Sequence, residues 1–260
     1  MDLDGTIIDF ADRPEDARPG PALLELLRDL AAQPGLSVAV ASGRPRESLE
    51  SLFVEAPGVW LVAEHGAWLR GEGAWRSTVP AELETLDALA AELEEVAAKY
   101  RKAWVERKTW TVCLHYRNVR PGERLGLLVQ ANAAFEARAG ARRGYEPLEG
   151  ADTFEVRPAG IRKSVGIPWI REKAGPGARL MALGDDVTDE DMFRALGSGD
   201  DAIKVGGDVT RPTAARWTLP EPAATVAFLR WILEARRESR TPPPEVLPAA
   251  AEARKAAIRG

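Results

Sequence analysis

Asp2-Leu3-Asp4-Gly5-Thr6 places two carboxylates one residue apart, directly before a glycine and a hydroxyl. Side chains two apart at the end of an extended segment project to one side, so Asp2 and Asp4 share a pocket. Two anions that close repel unless a cation sits between them or one keeps a proton. The first outcome calls for a hard, oxygen-seeking ion such as Mg2+. The second supplies a general acid beside a nucleophile. Gly5 permits a sharp turn, and Thr6 offers a hydroxyl and an amide to a phosphate. A solvated acidic turn would explain the same five residues, so the rest of the chain has to decide.

Gly184-Asp185-Asp186-Val187-Thr188-Asp189-Glu190-Asp191 is the second acidic segment. Thr188 is placed to start a helix, with Asp191 three residues on. That capping role leaves Asp185 and Asp186 unexplained at the end of an apolar run, where uncompensated charge is costly; a metal explains them. Ser42-Gly43-Arg44 adds a hydroxyl and a small residue at another strand end. Lys163 heads a predicted helix, where the dipole disfavours a cation. An anionic pocket would recruit it there, and so would plain solvent.

The elements that must position these groups follow from periodicity. Leu36–Ala41, Val59–Ala63, Leu180–Leu183 and Ala202–Val205 are short apolar runs suited to strands buried on both faces. Pro21–Ala32, Glu47–Val54, Lys163–Ala174, Thr188–Leu196 and Ala223–Ala235 have helical spacing, with Pro168 counting against a straight helix. Alternation of this kind predicts a doubly wound, Rossmann-like parallel sheet, which binds ligands beyond the carboxyl ends of its strands. The middle reads differently: a helix over 81–100, strands over 103–106 and 110–116, a helix over 125–137 and a strand over 152–156. The expectation is a discontinuous α/β core, 1–77 with 160–236, an α+β insert over 78–159, and a Pro/Ala-rich disordered tail over 237–260.

The 260 residues are 45% hydrophobic and 29% charged, ordinary globular values that exclude a wholly disordered chain. A net charge of −5 with no basic tract argues against a nucleic-acid or anionic-membrane surface. Cys113 is the one cysteine, so no intrachain disulfide forms and a multi-thiolate zinc cluster is excluded. No uncharged apolar run reaches membrane-spanning length. A cytoplasmic protein is expected. His65 and His115 lack a third nitrogen or sulfur partner, so neither suggests zinc. Of the eight tryptophans, Trp60, Trp68, Trp169 and Trp231 sit in apolar runs and read as core, and Trp75, Trp104 and Trp110 read as core or sheet packing, with stacking on a sugar as the alternative. The strand leading to Asp2 should hold four or five apolar residues, but one residue precedes it. The expectation is a miscalled start or a fragment.

DxDGT, Ser42, Lys163 and GDDxTD, in that order and each at a strand exit or helix start, resemble the haloacid-dehalogenase-like phosphatases. Ala63-Glu64-His65-Gly66-Ala67, Val105-Glu106-Arg107-Lys108, Leu114-His115-Tyr116-Arg117, Phe154-Glu155-Val156-Arg157-Pro158 and Gly184 to Phe193 narrow the likeness to trehalose-6-phosphate phosphatases, from Asp2 to about Leu233. Arg162-Lys163-Ser164 departs from the Asn-Lys-Gly usual there. The resemblance implies Mg2+-dependent hydrolysis of a sugar phosphate. Asp2 is then the nucleophile and Asp4 the acid and base, while Ser42 and Lys163 hold the phosphoryl oxygens. Asp2, the Asp4 carbonyl and Asp185 would bind the metal, with Asp186 or Asp189 beside it, and the insert would act as a lid. Gly43, Arg44, Glu64, Lys108, Glu155 and Arg157 are the implied substrate contacts. Association or fusion with a trehalose-phosphate synthase is also implied. Two alternatives stay open: a phosphatase for another sugar phosphate, and a non-catalytic phosphosugar-binding domain.

Overall fold

Short apolar runs become strands, and the leucine-spaced segments between them become helices, in the order the periodicity predicts. The computed structural model describes residues 1–11, 13, 15–79, 84–140, 144–150, 152–206, 212–238 and 247–248. Two units divide the chain, Met1–Arg76 with Arg162–Gly260, and Ser77–Ile161.

The first unit begins with α1 (Pro21–Ala31), β1 (Ala39–Ala41), α2 (Arg46–Leu52), β2 (Trp60–Ala63), β3 (Trp68–Arg70) and β4 (Arg76–Ser77). Pro21 opens α1 where its missing N–H costs nothing, and Leu23, Leu24, Leu26, Leu27 and Leu30 form its buried face. β1 and β2 run parallel, Val40 opposite Leu61. The expected strand over 36–41 narrows to three residues, although the Val38 carbonyl still accepts from Trp60 N at 2.8 Å.

The second unit holds α3 (Glu84–Ala97), β5 (Trp104–Arg107), β6 (Val112–His115), α4 (Pro121–Arg138), β7 (Tyr145–Gly150) and β8 (Thr153–Pro158). Its sheet is antiparallel, in the order β5-β6-β8-β7. Leu86, Leu89 and Leu93 of α3 and Leu127 of α4 pack on Val112, Leu114, Phe154 and Val156, all fully buried. At roughly 1.5–3 kcal/mol per buried side chain, this layer holds both helices on one face of the sheet. Residues alternating with these strand positions point to the other face. The sequence did not reveal β7, because Pro147 interrupts it; the strand lies at the sheet edge, where a missing N–H is tolerated. Residues 81–83 of the expected 81–100 helix lie outside the described residues.

The first unit resumes with a 3-10 turn at Lys163–Val165, then α5 (Gly166–Ala174), β9 (Met181–Gly184), α6 (Val187–Arg194), β10 (Asp201–Val205), β11 (Trp217–Leu219), α7 (Pro222–Glu238) and β12 (Leu247–Pro248). Pro168 falls in the first turn of α5 and breaks nothing. β9, β10 and β11 are parallel, and β12 closes the edge antiparallel. Within the predicted tail, residues 237–238 therefore end α7 and 247–248 pair with β11. The remainder of that tail lies outside the described residues.

Met1 and Asp2 lie between the two four-stranded sheets. Met1 N donates to Ala39 O at 2.9 Å, Ala41 N donates to Met1 O at 2.8 Å, and Asp2 N donates to Leu183 O at 2.9 Å. Val40 and Leu61 pack with α1 and with Leu229 and Leu233 of α7. Ala41 and Val62 pack oppositely, with Ile167 and Trp169 of α5 and Met192 and Phe193 of α6. Both faces of these strands are thus covered by helices. No helix among the described residues is long and apolar enough to cross a membrane.

Candidate active site

Backbone pairing of Asp2 with Leu183 brings the start of the chain beside the carboxyl end of β9, whose next residues are Gly184 and Asp185. Thr6 Oγ1 donates to Asp185 Oδ1 at 2.7 Å. The Lys163 ammonium lies 2.9 Å from Asp2 Oδ1 and 2.9 Å from Asp189 Oδ1. The second Asp189 oxygen accepts from the backbone nitrogens of Asp185 at 2.9 Å and Asp186 at 3.0 Å. Asp2, Lys163 and Asp189 are buried. Asp2, Asp185 and Asp189 each present a carboxylate oxygen within 4.8 Å of the others.

Two glycines permit this crowding. Gly5 has φ +79°, and a Cβ there would stand 2.3 Å from Asp185 Oδ2. A Cβ at Gly184 would meet Asp189 Cβ at 2.3 Å. Glycine at position 5 lets the first acidic segment fold against the second, and glycine at 184 lets the second fold back on itself.

Burial, then repulsion from Asp189 and Asp185, pushes the Asp2 carboxyl well above its usual range despite Lys163. Burial raises Asp185 to about 6, with the Thr6 hydrogen bond opposing. Burial alone would depress the Lys163 ammonium, but Asp189 and Asp2 outweigh it and raise its pKa. Three carboxylates facing one ammonium leave negative charge uncompensated. Oxygen donors in that number suit a hard divalent cation such as Mg2+.

Asp4 turns elsewhere. Arg44 grips it through two hydrogen bonds, Nε to Oδ2 at 2.8 Å and a terminal nitrogen to Oδ1 at 2.6 Å, and also donates to Ala17 O at 2.9 Å. The planar fork of the guanidinium matches a carboxylate in this way. Ser42 is buried, and its Oγ accepts from Arg44 N at 3.1 Å. Gly43 lies under the His65 ring, where a Cβ would come within 2.5 Å of Nε2. The Glu64–Gly66 turn is tied to this loop by Glu64 N to Arg44 O at 3.0 Å and His65 N to Ser42 O at 3.1 Å. Glu64 and His65 both have positive φ, +45° and +56°, conformations that cost energy in a non-glycine residue and cluster at functional sites. In the second unit Lys108 pairs with Glu155 at 3.0 Å and Arg157 with Glu146 at 2.9 Å; Lys108, Glu155 and Arg157 have buried side chains.

Asp186, expected among the metal residues, stands at the start of α6. It is the N-cap of α6 in a reciprocal capping box with Asp189, its side chain accepting from Val187 N at 2.7 Å. The helix starts one residue before Thr188, so the expected Thr188 cap is replaced by Asp186. Asp191 faces Arg162 at 3.5 Å and Arg194 at 3.8 Å. Thr6 contacts Asp185, where a phosphate contact was expected. Sequence reasoning missed Lys204, whose ammonium donates to the Asp185 carbonyl from β10, opposite Gly184. Its signal was present: one of seven lysines, set near the end of an apolar strand.

Fold and site together define an α/β protein with an acidic, lysine-anchored centre at strand carboxyl ends. A model of the trehalose-phosphatase family matches residues 1–223, and the chain belongs to that family. It is 33% identical over 239 residues to the trehalose-phosphate phosphatase of Mycobacterium marinum, covering 88% of this chain and 59% of the relative. It is 35% identical over 208 residues to the bifunctional trehalose-6-phosphate synthase/phosphatase of Thermoproteus tenax, covering 79% of this chain and 28% of the relative. The chain thus spans less than two thirds of these curated relatives. Among solved structures, trehalose-6-phosphate phosphatase of Aspergillus fumigatus is similar at TM-score 0.62 and 26% identity, covering 90% of this chain and 91% of the other. The C-terminal domain of the Candida albicans enzyme shares the fold at TM-score 0.79 and 22% identity, with the same coverages.

Proposed function

We propose that the chain is a Mg2+-dependent phosphatase that hydrolyses trehalose 6-phosphate to trehalose and phosphate, serving trehalose biosynthesis. The observation that carries this reading is the convergence of Asp2, Asp185 and Asp189 on one point, with the Lys163 ammonium 2.9 Å from two of them. The first unit is read as a Rossmann-like, haloacid-dehalogenase-type core and the second as its inserted cap.

Phosphate monoesters hydrolyse very slowly unaided, so the site must stabilise developing charge strongly. Asp2, Asp185 and Asp189 are the residues that would hold Mg2+, whose positive charge would offset that of the nucleophile and the phosphoryl group. Lys163 favours the ionised form of Asp2 against burial and holds its carboxylate in place. The Asp2 oxygen bonds to phosphorus as the phosphorus–sugar oxygen bond breaks, and Asp4 gives its proton to the departing sugar. Water then attacks the aspartyl-phosphate, Asp4 takes the water's proton, and phosphate leaves with Asp2 restored. Arg44 has to yield Asp4 for this work, which an entering phosphate achieves by offering the guanidinium another anion. Ser42 and Lys163 hold phosphoryl oxygens beside Gly43; Glu64, Lys108, Glu155 and Arg157 contact the sugar. The resemblance to a bifunctional enzyme of Thermoproteus tenax supports association or fusion with a synthase, and a chain with one cysteine suits a reducing cytoplasm.

Phosphate release from trehalose 6-phosphate, with and without Mg2+, tests the assignment beside glucose 6-phosphate and sucrose 6-phosphate. Mg2+-dependent turnover fastest on trehalose 6-phosphate is expected. Faster turnover of another sugar phosphate would overturn the substrate, and no turnover with retained binding would make the chain a phosphosugar-binding module.

A further inference from the structure

We propose that Lys204 is a positioning residue for the metal centre: it holds the Asp185 peptide so that the Asp185 carboxylate is aimed before an ion arrives. The inference rests on reading the acidic cluster as the Mg2+ centre, and not on which phosphate ester is hydrolysed. Gly184 ends β9 opposite Lys204 of β10. Asp185 is therefore the first residue past that pairing, where the strand ladder no longer fixes the chain. Its polar groups are nonetheless held one by one. The backbone nitrogen donates to Asp189 Oδ2 at 2.9 Å, the carboxylate accepts from Thr6 Oγ1 at 2.7 Å, and the carbonyl accepts from the Lys204 ammonium. The first two clamps come from the acidic segments themselves, whereas the third reaches in from the neighbouring strand.

Ala182 and Ala202 are opposite one another and pack with Met192 and Phe193 of α6, and residues two apart along a strand share a face. Lys204 thus rises on the α6 side, next to the amino end of that helix, where the dipole disfavours a cation. The ammonium is spent there on a carbonyl, and a hydrogen bond from an ionised donor is roughly twice as strong as a neutral one. Asp2, Asp185 and Asp189 present carboxylate oxygens within 4.8 Å of one another. Releasing the Asp185 carbonyl frees its peptide to rotate, and rotation swings the Asp185 carboxylate away from the other two. Outer contacts of this kind orient metal ligands, and their loss typically lowers metal affinity about 10–100-fold. Lys204 acts through Asp185 and moves no proton.

Calorimetric titration of the whole chain with Mg2+ tests it. Lys204→Met, close in length but without the donor, should bind Mg2+ at least about tenfold more weakly, and the Mg2+ concentration for half-maximal phosphate release should rise in step. Lys204→Arg, which keeps an ionised donor, should recover most of the affinity. Circular dichroism shows which variants are folded; should Lys204→Met fail to fold, the same loss is expected of Lys204→Gln, whose stem is too short to reach the carbonyl. Wild-type Mg2+ affinity in the folded methionine or glutamine variant, with or without a lower melting temperature of the metal-free protein, would make Lys204 an ordinary support of the fold and overturn the proposal. An arginine variant as weak as these would overturn it too. No Mg2+ uptake by the wild type would instead overturn the metal centre, and this role with it.

Discussion

The two ends of β9 lie against aspartates in opposite electrostatic states. At the amino end Asp200 accepts from Leu180 N at 2.9 Å, Gly197 N at 2.8 Å and the Arg171 guanidinium. Burial pushes its carboxyl up, but these donors outweigh it and hold the pKa below the usual range. At the carboxyl end Asp2 and Asp185 are pushed upward by burial and by Asp189, with Lys163 as shared counter-charge. The same residue type is satisfied at one end and left in excess at the other. Satisfied charge serves the fold, whereas charge in excess serves a ligand that brings the missing positive charge.

The largest effect expected from breaking this contrast is on turnover. Asp2→Asn removes the proposed nucleophile and should lower kcat on the order of 10^4-fold or more, read as phosphate release. The same substitution relieves repulsion, so the melting temperature of the metal-free protein should rise; a fall would contradict an excess of negative charge. Lys163→Met leaves Asp2 and Asp189 buried without their cation and should destabilise by about 3–5 kcal/mol, measured by denaturant unfolding. At the opposite end, Asp200→Ala abandons two backbone donors and should cost about 1–3 kcal/mol with turnover intact. The smallest test is in pH. Because the folded pKa of Asp200 is depressed, its contribution is present above the unfolded value of 3.8 and lost as pH falls through the folded one. Wild type should therefore lose stability faster than Asp200→Asn on acidification below that value, and parallel curves would refute it.

The chemistry-bearing segments were legible because each ends an apolar strand: Asp2 to Thr6, Ser42 to Arg44 and Gly184 to Asp191 punctuate runs whose burial is plain from composition. What stayed hidden was pairing across the chain. Nothing local shows that Asp4 belongs to Arg44, or that Lys204 reaches the Asp185 carbonyl from the adjoining strand. The choice between Thr188 and Asp186 as helix cap turned on backbone geometry, since both residue types cap well. β7 was illegible because Pro147 reads as a breaker wherever the sheet edge is unknown. The alternation of Thr111, Cys113 and His115 was readable from sequence, yet the register that sets Glu106 beside them exists only in the folded sheet.

Met1 and Asp2 stitch two half-sheets together, and the proposed nucleophile is itself one of the stitches. Parting of that seam would separate the acids contributed by distant parts of the chain. Competence for chemistry and continuity of the central sheet would then be lost in a single event, while most of the polypeptide still held its shape.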